Sequence, residues 1–140
     1  MNIIPQESSR GAVIFRMEGR ERLYLLLHYE AGHWEFVKGK REAGEEEKDT
    51  VVREAREETG IVDLRFIDGF RERIEYFYRR EGQTIHKEVV FFLAETKTRN
   101  ITLSDEHIGF DWLDYDGAMK RLTFENAKNV LGKAEEFLKN

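Results

Sequence analysis

The segment Gly39–Ile61, GKREAGEEEKDTVVREAREETGI, decides how this chain is interpreted, because it gathers many carboxylates in a short stretch. Like charges repel, and a solvated helix normally has more lysine and arginine interspersed among its glutamates. The segment holds seven glutamates: Glu42, Glu45, Glu46, Glu47, Glu54, Glu57 and Glu58. Either this charge is incidental, or the segment binds a cation.

The segment has the features of an α-helix from Glu46 to Thr59. Acidic residues in the first turn interact favourably with the helix dipole, and Gly60 lies where a left-handed residue ends a helix. At about 100° per residue, Glu47, Glu54 and Glu58 fall almost on one line. The helix therefore carries an acidic stripe.

Glu57 flanks this stripe, and the apolar residues Val51 and Ala55 occupy the adjacent arc, so the stripe borders the buried face. Each like-charge pair four residues apart costs roughly 0.2–0.5 kcal/mol on an isolated helix. A divalent cation removes that cost, and carboxylate oxygens suit Mg²⁺ or Mn²⁺, whereas zinc prefers histidine or cysteine. A solvated acidic face is the alternative that the charge alone leaves open.

The spacing within the segment is more specific than its charge. It fits G-x5-E-x7-R-E-U-x-E-E-x-G-U, where U is apolar, at Gly39, Glu45, Arg53, Glu54, Ala55, Glu57, Glu58, Gly60 and Ile61. A chance match is on the order of 10⁻⁵ for this composition. This pattern is the Nudix box, and the sequence resembles the Nudix hydrolase family. The resemblance implies an α/β fold, an α/β/α sandwich with a mixed β-sheet, in which the box forms a loop–helix–loop.

The resemblance also implies a metal site. Glu54, Glu57 and Glu58 match the metal-binding glutamates of the family, and the carbonyl of Lys38 lies where the family often supplies a backbone ligand. Glu106 matches a further glutamate that one branch of the family contributes from outside the box. The implied cofactor is Mg²⁺, with Mn²⁺ as a possible substitute.

Two catalytic roles follow from this implied site. Arg53 is expected to fork between carboxylates and hold them in register, with Glu45 as its partner. A metal lowers the pKa of bound water, and a carboxylate then accepts the proton. Glu54 and Glu106 are both candidates for that base, with Glu58 beside them in the catalytic set, and the sequence does not decide between the two.

Motifs outside the box narrow the resemblance to diadenosine tetraphosphate (Ap4A) hydrolases. They are the W-x-x-x-K-G lead-in within His33–Gly39, Gly69-Phe70 followed by Tyr76, Lys87–Glu95, Leu103–His107 and Trp112-Leu113. The implied reaction is asymmetric cleavage of Ap4A into ATP and AMP. Val37 replaces the proline common in the lead-in, and Lys40 replaces a histidine or arginine, so the substrate preference stays open.

Six residues are candidates for substrate contact, each with a structural alternative. Tyr76 is suited to stacking on adenine or to packing in the core. The lysines are suited to binding phosphate or to an ordinary surface position. The histidines are suited to phosphate contact or to packing beside Trp34 and Trp112. The set is Lys38, Lys40, Tyr76, Lys87, His33 and His107.

Three other functions remain open. A related enzyme would remove pyrophosphate from RNA 5′ ends, or hydrolyse mononucleotides or ADP-ribose. A different class is a catalytically inactive Nudix-fold binding domain. The net charge of −5 disfavours other nucleic-acid partners and anionic membranes, so the expected partner is a small nucleotide. The oligomeric state is not predicted.

The composition predicts a single domain over residues 1–140, with 40% hydrophobic and 12% aromatic residues. The chain has no cysteine, no run long enough to span a membrane and no signal-peptide core in MNIIPQESSR. We therefore expect a cytoplasmic protein.

The remaining secondary structure follows from apolar patterning. The pattern predicts a C-terminal helix capped by Thr123, in which apolar residues starting at Phe124 fall at helical spacing. It also predicts strands at Gly11–Phe15, Leu23–His28 and Asp111–Leu113, and a hairpin of Phe70–Tyr78 with Lys87–Ala94.

Overall fold

A computed structural model describes residues 5–139 and contains a mixed sheet of eight strands with three helices packed against it. The strands are β1 (Glu7–Glu18), β2 (Glu21–Tyr29), β3 (Trp34–Glu35), β4 (Val37–Lys40), β5 (Arg65–Phe66), β6 (Glu72–Arg80), β7 (Gln83–Glu95) and β8 (His107–Leu113). The helices are α1 (Glu47–Thr59), α2 (Tyr115–Arg121) and α3 (Glu125–Lys139).

The long strands β1 and β7 run parallel to each other at the centre of the sheet. The other pairings are antiparallel: β1 with β2 and β4, β7 with β5 and β6, and β2 with β3 and β8. Both faces of the sheet are covered, which agrees with the continuous apolar runs of the central strands.

Alternate residues of β1 enter two separate hydrophobic cores, because successive side chains of a strand point to opposite faces. Val13 and Phe15 pack in the core that includes α2 and α3. Ala12 and Ile14 pack in the other core, against Val51 and further residues of α1. The predicted α/β/α sandwich is confirmed.

Helix α1 has well-defined ends. Glu46 is its N-cap residue, and its backbone N–H donates to the Asp49 carboxylate at 3.0 Å. Gly60 adopts φ 78°, in the left-handed region, and its N–H donates to the carbonyl of Arg56 at 3.0 Å. The predicted helix, from Glu46 to Thr59, therefore agrees with the structure apart from the N-cap residue.

The β6–β7 hairpin is longer than the sequence pattern predicts. Arg80 pairs with Gln83, so the turn consists of Glu81 and Gly82, with φ angles of 51° and 78°. Two positive φ angles belong to a two-residue type I′ turn, whose twist matches that of the strands. Strand β7 therefore starts at Gln83, four residues before the predicted Lys87 (87 − 83 = 4).

The predicted cap of the C-terminal helix is wrong by one residue. Helix α3 begins at Glu125, and the Thr123 hydroxyl instead accepts a hydrogen bond from the Trp34 backbone N–H at 2.9 Å. The capping group is thus used in a tertiary contact. Helix α2 was not predicted. Its Asp114 N-cap accepts from the Gly117 N–H at 2.8 Å.

Within residues 5–139, none of the helices has the length and hydrophobicity that a bilayer span requires.

Candidate active site

A cleft of about 460 Å³ lies where α1 meets β4, and we call it the carboxylate cleft. It brings together all four predicted metal-binding glutamates and all three predicted phosphate-binding lysines. Its lining residues are Ser9, Tyr29, Lys38, Gly39, Lys40, Glu54, Glu57, Glu58, Lys87, Ser104 and Glu106.

Gly39 leaves room on β4 for the Glu54 carboxylate in the cleft. A Cβ atom at position 39 would lie 2.0 Å from Cδ of Glu54 and 2.2 Å from its Oε1, which is far inside van der Waals contact. Any other residue would therefore displace the Glu54 carboxylate. This explains physically why the box begins with glycine.

Arg53 holds the acidic groups of the box in register through a branched hydrogen-bond network. Its Nε donates to Glu45 Oε2 at 2.6 Å, so the predicted partner is the partner in the structure. Its Nη1 donates to Glu54 at 2.8 Å and to Glu57 at 3.2 Å, and its Nη2 donates to the Lys40 carbonyl at 2.8 Å. Lysine lacks the planar fork needed to make these contacts together.

Glu58 is the most buried carboxylate of the cleft, with 4% of the residue exposed. Its Oε2 is buried without a hydrogen-bond partner within residues 5–139. Burial, and then the neighbouring Glu54 charge, raise the pKa of Glu58 to about 9. Burial also raises the pKa of Glu54, although its hydrogen bond with Arg53 opposes that shift. Without a cation the cleft therefore disfavours ionised carboxylates, because their negative charges would be buried close to one another.

This donor set suits a divalent cation in its chemistry, since hard cations bind carboxylate oxygens and one buried oxygen is unpaired. Among residues 5–139, however, no three acidic or histidine side chains are already arranged around a common metal position. Arg53 draws Glu54 and Glu57 towards its own guanidinium. A bound cation therefore has to compete with Arg53 for these two carboxylates.

The aligned acidic stripe of α1 is divided between two environments. Glu54 and Glu58 face the cleft, whereas Glu47 does not line it. Glu47 instead pairs with Arg10 at 2.6 Å and with Arg71 at 2.8 Å. These hydrogen bonds lower the pKa of Glu47, the one from Arg71 most strongly. Glu47 thus joins α1 to the sheet.

Glu106 reaches the cleft from the loop between β7 and β8, and this loop is tied to neighbouring elements. The Ser104 N–H donates to the Glu58 carbonyl at 3.3 Å, and the Thr102 N–H donates to the Thr59 carbonyl at 2.9 Å. The Glu106 carbonyl accepts from the Glu30 N–H at 3.1 Å. The loop therefore holds the Glu106 backbone in a defined position beside the C-terminal turn of α1.

A second cavity, of about 720 Å³, adjoins the cleft, and we call it the aromatic cavity. The two share three lining residues, Tyr29, Lys38 and Lys87, which we call the junction. The other residues of the aromatic cavity are His33, Glu35, Ile74, Tyr76, Phe77, Tyr78, Phe124, Glu125 and Asn126.

The three predicted phosphate-binding lysines have different surroundings. Lys38 lies 3.5 Å from the Glu35 carboxylate, between their Nζ and Oε2 atoms. Burial, and then the nearby Lys38 charge, lower the pKa of Lys87. Lys40 is more exposed, and its Nζ lies 3.9 Å from Glu7. Two cations are therefore held close together at the junction, where an anion would relieve their repulsion.

Tyr76 and Phe124 are two of the rings that line the aromatic cavity, and they come from different parts of the chain. Tyr76 lies on β6, and its ring packs against the core while also lining the cavity, so stacking on adenine stays a prediction. Phe124 precedes α3 and is 49% exposed. Its place in the apolar pattern of the C-terminal helix suggested a core residue, which is why the sequence did not identify it as a site residue.

The histidines flank Tyr29 rather than the two tryptophans. His33 stacks on the Tyr29 ring at 4.6 Å and lines the aromatic cavity. His107 meets the same ring edge-on at 4.4 Å, but it lines neither cavity. Trp34 instead stacks on His28 at 4.4 Å. The ring that His33 stacks on is therefore Tyr29 and not Trp34, and Tyr29 lines both cavities although the sequence did not single it out.

The fold and this site together define a class of protein. It is an α/β/α sandwich with one cleft lined by both carboxylates and lysines, an arrangement suited to metal-assisted hydrolysis of phosphate esters and anhydrides.

Comparison with known proteins identifies the family. The model of the NUDIX domain matches residues 5–133. The asymmetrical bis(5′-nucleosyl)-tetraphosphatase of Mus musculus is 36% identical, over 91% of this chain and 92% of that protein. The chain therefore belongs to the Nudix hydrolase family, whose members generally depend on a divalent metal ion.

Solved structures agree with this assignment. The Ap4A hydrolase of C. elegans, in a binary complex, superposes with a TM-score of 0.84 at 28% identity, covering 95% of this chain and 98% of that one. The dihydroneopterin triphosphate pyrophosphohydrolase of E. coli superposes with a TM-score of 0.75 at 21% identity, covering 94% and 97%. At 21% identity, the second comparison supports a shared fold and not a shared activity.

Proposed function

We propose that this protein hydrolyses dinucleoside polyphosphates with Mg²⁺, and that it cleaves Ap4A asymmetrically into ATP and AMP. The observation that carries the proposal is the junction, where a carboxylate cleft opens through two lysines into a cavity lined by aromatic rings. A nucleoside polyphosphate has the same order of parts, with anionic phosphates at one end and a flat base at the other. The relatives named for this activity support the choice of substrate.

The carboxylates Glu54, Glu57, Glu58 and Glu106, with the carbonyl of Lys38, are the groups that we propose to hold Mg²⁺. When bound, the metal neutralises phosphate oxygens and lowers the pKa of a coordinated water. Arg53 holds Glu54 and Glu57 through one guanidinium nitrogen, and would have to release them in part when the metal binds.

The lysines and the aromatic residues have separate tasks in this proposal. Lys38, Lys87 and the more exposed Lys40 bind phosphate oxygens as point charges. Tyr76 and Phe124 hold a base by stacking, which is worth roughly 1–3 kcal/mol per base. His33 contacts the substrate from its position against Tyr29.

His107 has an indirect role, since it packs behind Tyr29 and lines neither cavity. Ser104 fixes its ring, because the serine Oγ lies 3.1 Å from His107 Nδ1. We therefore propose that His107 positions Tyr29.

The general base is one of two carboxylates that line the cleft. Glu54 accepts a hydrogen bond from Arg53 and lies close to Gly39. Glu106 enters the cleft from the loop between β7 and β8. Comparing Glu54→Gln and Glu106→Gln separates them, because loss of the base abolishes the acidic limb of the pH–rate profile for kcat. Loss of a metal ligand alone shifts metal dependence and retains that limb.

The substrate assignment is tested by product analysis. Purified protein with Mg²⁺ is offered Ap4A, ADP-ribose, triphosphorylated RNA and deoxynucleoside triphosphates. We expect ATP and AMP from Ap4A. Two molecules of ADP would contradict the cleavage position, and preference for RNA or ADP-ribose would support the other enzymatic functions. Turnover of none of them would favour a binding domain.

The metal assignment is tested by titration calorimetry with Mg²⁺ and with Mn²⁺. We expect wild-type protein to bind the metal, and Glu57→Gln and Glu58→Gln to bind it more weakly. A Glu47→Gln variant is the matched control, because this carboxylate lies on the same helix outside the cleft. Equal uptake by all four proteins would contradict the proposed site.

We further propose that residues 1–140 form one domain that acts in the cytoplasm. The family model spans residues 5–133, and both hydrophobic cores draw on elements across that range. Limited proteolysis is expected to give no stable smaller fragment, and fractionation of the native cell tests the compartment.

A further inference from the structure

Glu35 is a buried carboxylate that the proposed reaction does not use. It lies on β3, only 4% of the residue is exposed, and it lines the aromatic cavity next to the junction. Burying a carboxylate is costly unless the group is well paired and hydrogen-bonded, and the ion pair of Glu35 with Lys38 is long, at 3.5 Å. The role of Glu35 therefore needs an explanation.

The contacts of Glu35 leave it able to accept further hydrogen bonds. Its Oε1 accepts from the Phe36 backbone N–H at 3.3 Å, and its Oε2 lies 3.5 Å from Lys38 Nζ. An ionised carboxylate has about four lone-pair positions and donates nothing. The two long contacts use two of these positions, so Glu35 suits a ligand that presents hydroxyl or amino donors.

The position of Glu35 matches one part of a nucleotide. In a nucleoside 5′-polyphosphate the sugar lies between the base and the phosphates. A base in the aromatic cavity and phosphates in the carboxylate cleft therefore place the sugar at the junction, beside Lys38. Glu35 pairs with this same lysine. The group that the sugar offers there is the pair of 2′ and 3′ hydroxyls.

We propose that Glu35 accepts hydrogen bonds from the ribose hydroxyls of the bound nucleoside, and so makes the site selective for ribonucleotides over nucleotides that lack these hydroxyls. The inference rests on the proposed function, because it needs the base and the phosphates to occupy the two cavities. Acidic residues bind ribose hydroxyls by the same chemistry in dinucleotide-binding folds.

The test measures binding, so that it does not depend on turnover. The ligands are a dinucleoside tetraphosphate whose bridging oxygens are replaced by methylene groups, and its 2′,3′-dideoxyadenosine counterpart, each titrated with Mg²⁺ present. We expect wild-type protein to bind the dideoxy ligand about 10- to 100-fold more weakly, because hydrogen bonds to charged groups contribute about that much. In Glu35→Ala, the two ligands should bind with nearly equal affinity.

Comparing two variants with two ligands separates this role from a structural one. If Glu35 only supported Lys38, its removal would weaken both ligands equally and preserve their ratio, which would overturn the proposal. Glu125→Ala is the matched control, since this carboxylate lines the same cavity but is largely exposed. In this variant the ratio of the affinities for the two ligands should stay at the wild-type value. Equal binding of both ligands by wild-type protein, or binding of neither, would also overturn the proposal.

The two proposals fail in different ways. Hydrolysis of Ap4A to two ADP, or no hydrolysis, contradicts the proposed function while the binding ratio still reports on Glu35. If the protein produces ATP and AMP normally, but Glu35→Ala leaves the ratio of the two ligand affinities unchanged, only the proposed role of Glu35 is contradicted.

Discussion

The carboxylate cleft and the aromatic cavity are neighbours that share three residues, yet they are built in different ways. Most acidic groups of the cleft come from one helix, where the spacing of glutamates and the fork of Arg53 set their positions. The aromatic cavity collects His33 from a loop, Tyr76 from β6 and Phe124 from the start of α3. Three of the four acidic residues of the cleft are therefore close together in the sequence, whereas the rings of the aromatic cavity meet only after folding.

Because the two regions use different residues, mutations can test the proposed chemistry and the proposed binding of a base separately. The cleft contains the groups proposed for chemistry, so changes there should lower kcat. The aromatic cavity contains the groups proposed to hold a base, so changes there should mainly raise KM. If a mutation in the cleft mainly raised KM, or a mutation in the aromatic cavity mainly lowered kcat, the two regions would not have separate functions.

The largest effect is expected for Glu58→Gln. We expect kcat for Ap4A to fall by about 10²- to 10⁴-fold, because groups acting at the reacting atoms typically contribute that much. The fold should persist, since glutamine has the same shape and removes a buried, incompletely paired acid. Steady-state kinetics and circular dichroism measure the two properties.

Glu47→Gln is the control for this prediction, because Glu47 lies on α1 but pairs with Arg10 and Arg71 outside the cleft. We expect it to retain near-wild-type kcat while its melting temperature falls. A similar loss of kcat in both variants would show that helix stability, rather than position in the cleft, governs the effect.

A smaller loss is expected for Arg53→Lys. Lysine keeps the charge but cannot contact Glu45, Glu54 and Glu57 together, so the carboxylates lose their register. We expect kcat to fall about 10- to 100-fold, as is typical when groups that orient metal ligands are changed. Arg56→Lys, on the exposed side of the same helix, should have little effect.

The next effect should fall on KM. Tyr76→Ala and Phe124→Ala each remove a ring from the aromatic cavity, so KM for Ap4A should rise about 5- to 100-fold, with kcat nearly unchanged. Tyr76→Phe keeps the ring and should behave like wild type. The inhibition constant of inorganic tripolyphosphate, which has no base, should not change; if it rises in parallel with KM, the two regions are not separate.

The smallest effect concerns stability rather than kinetics. Burial lowers the pKa of His107, so the unfolded chain binds a proton more readily than the folded one. Stability is therefore lost as pH falls through about 6.5, the ordinary histidine pKa. We expect the free energy of unfolding of His107→Asn to depend less on pH between 8 and 5. Parallel curves from denaturant titrations would contradict this.

The sequence predicted the cleft better than the cavity for a physical reason. A helix fixes the relative positions of residues three and four apart, so the spacing of Glu54, Glu57 and Glu58 already places them together. The contact of Arg53 with Glu45 was implied by the family resemblance and not by helix spacing, because Glu45 lies in the loop before α1. Glu47 was the exception, because Arg10 on β1 and Arg71 just before β6 are distant in sequence and draw it away.

Residues outside the helix were harder to place. Thr123 looked like a helix cap, but it bonds to Trp34, which is 89 residues away. Phe124 looked like a core residue and is half exposed in a cavity. Tyr29 gave no sequence signal, although His33 and His107 pack on both sides of it. In each case the position of the residue depends on contacts between segments that are distant in the sequence.

By itself, the sequence determined the sandwich fold, the limits of α1 and the glutamates that share one face, because these depend on strand alternation, helix period and local turn chemistry. Only the tertiary structure decided which of those glutamates enter the cleft, which rings form the adjoining cavity and where Glu35 lies between the two. Such positions depend on how the strands pair and how closely the helix approaches the sheet, and contacts between distant parts of the chain are not encoded in any local pattern.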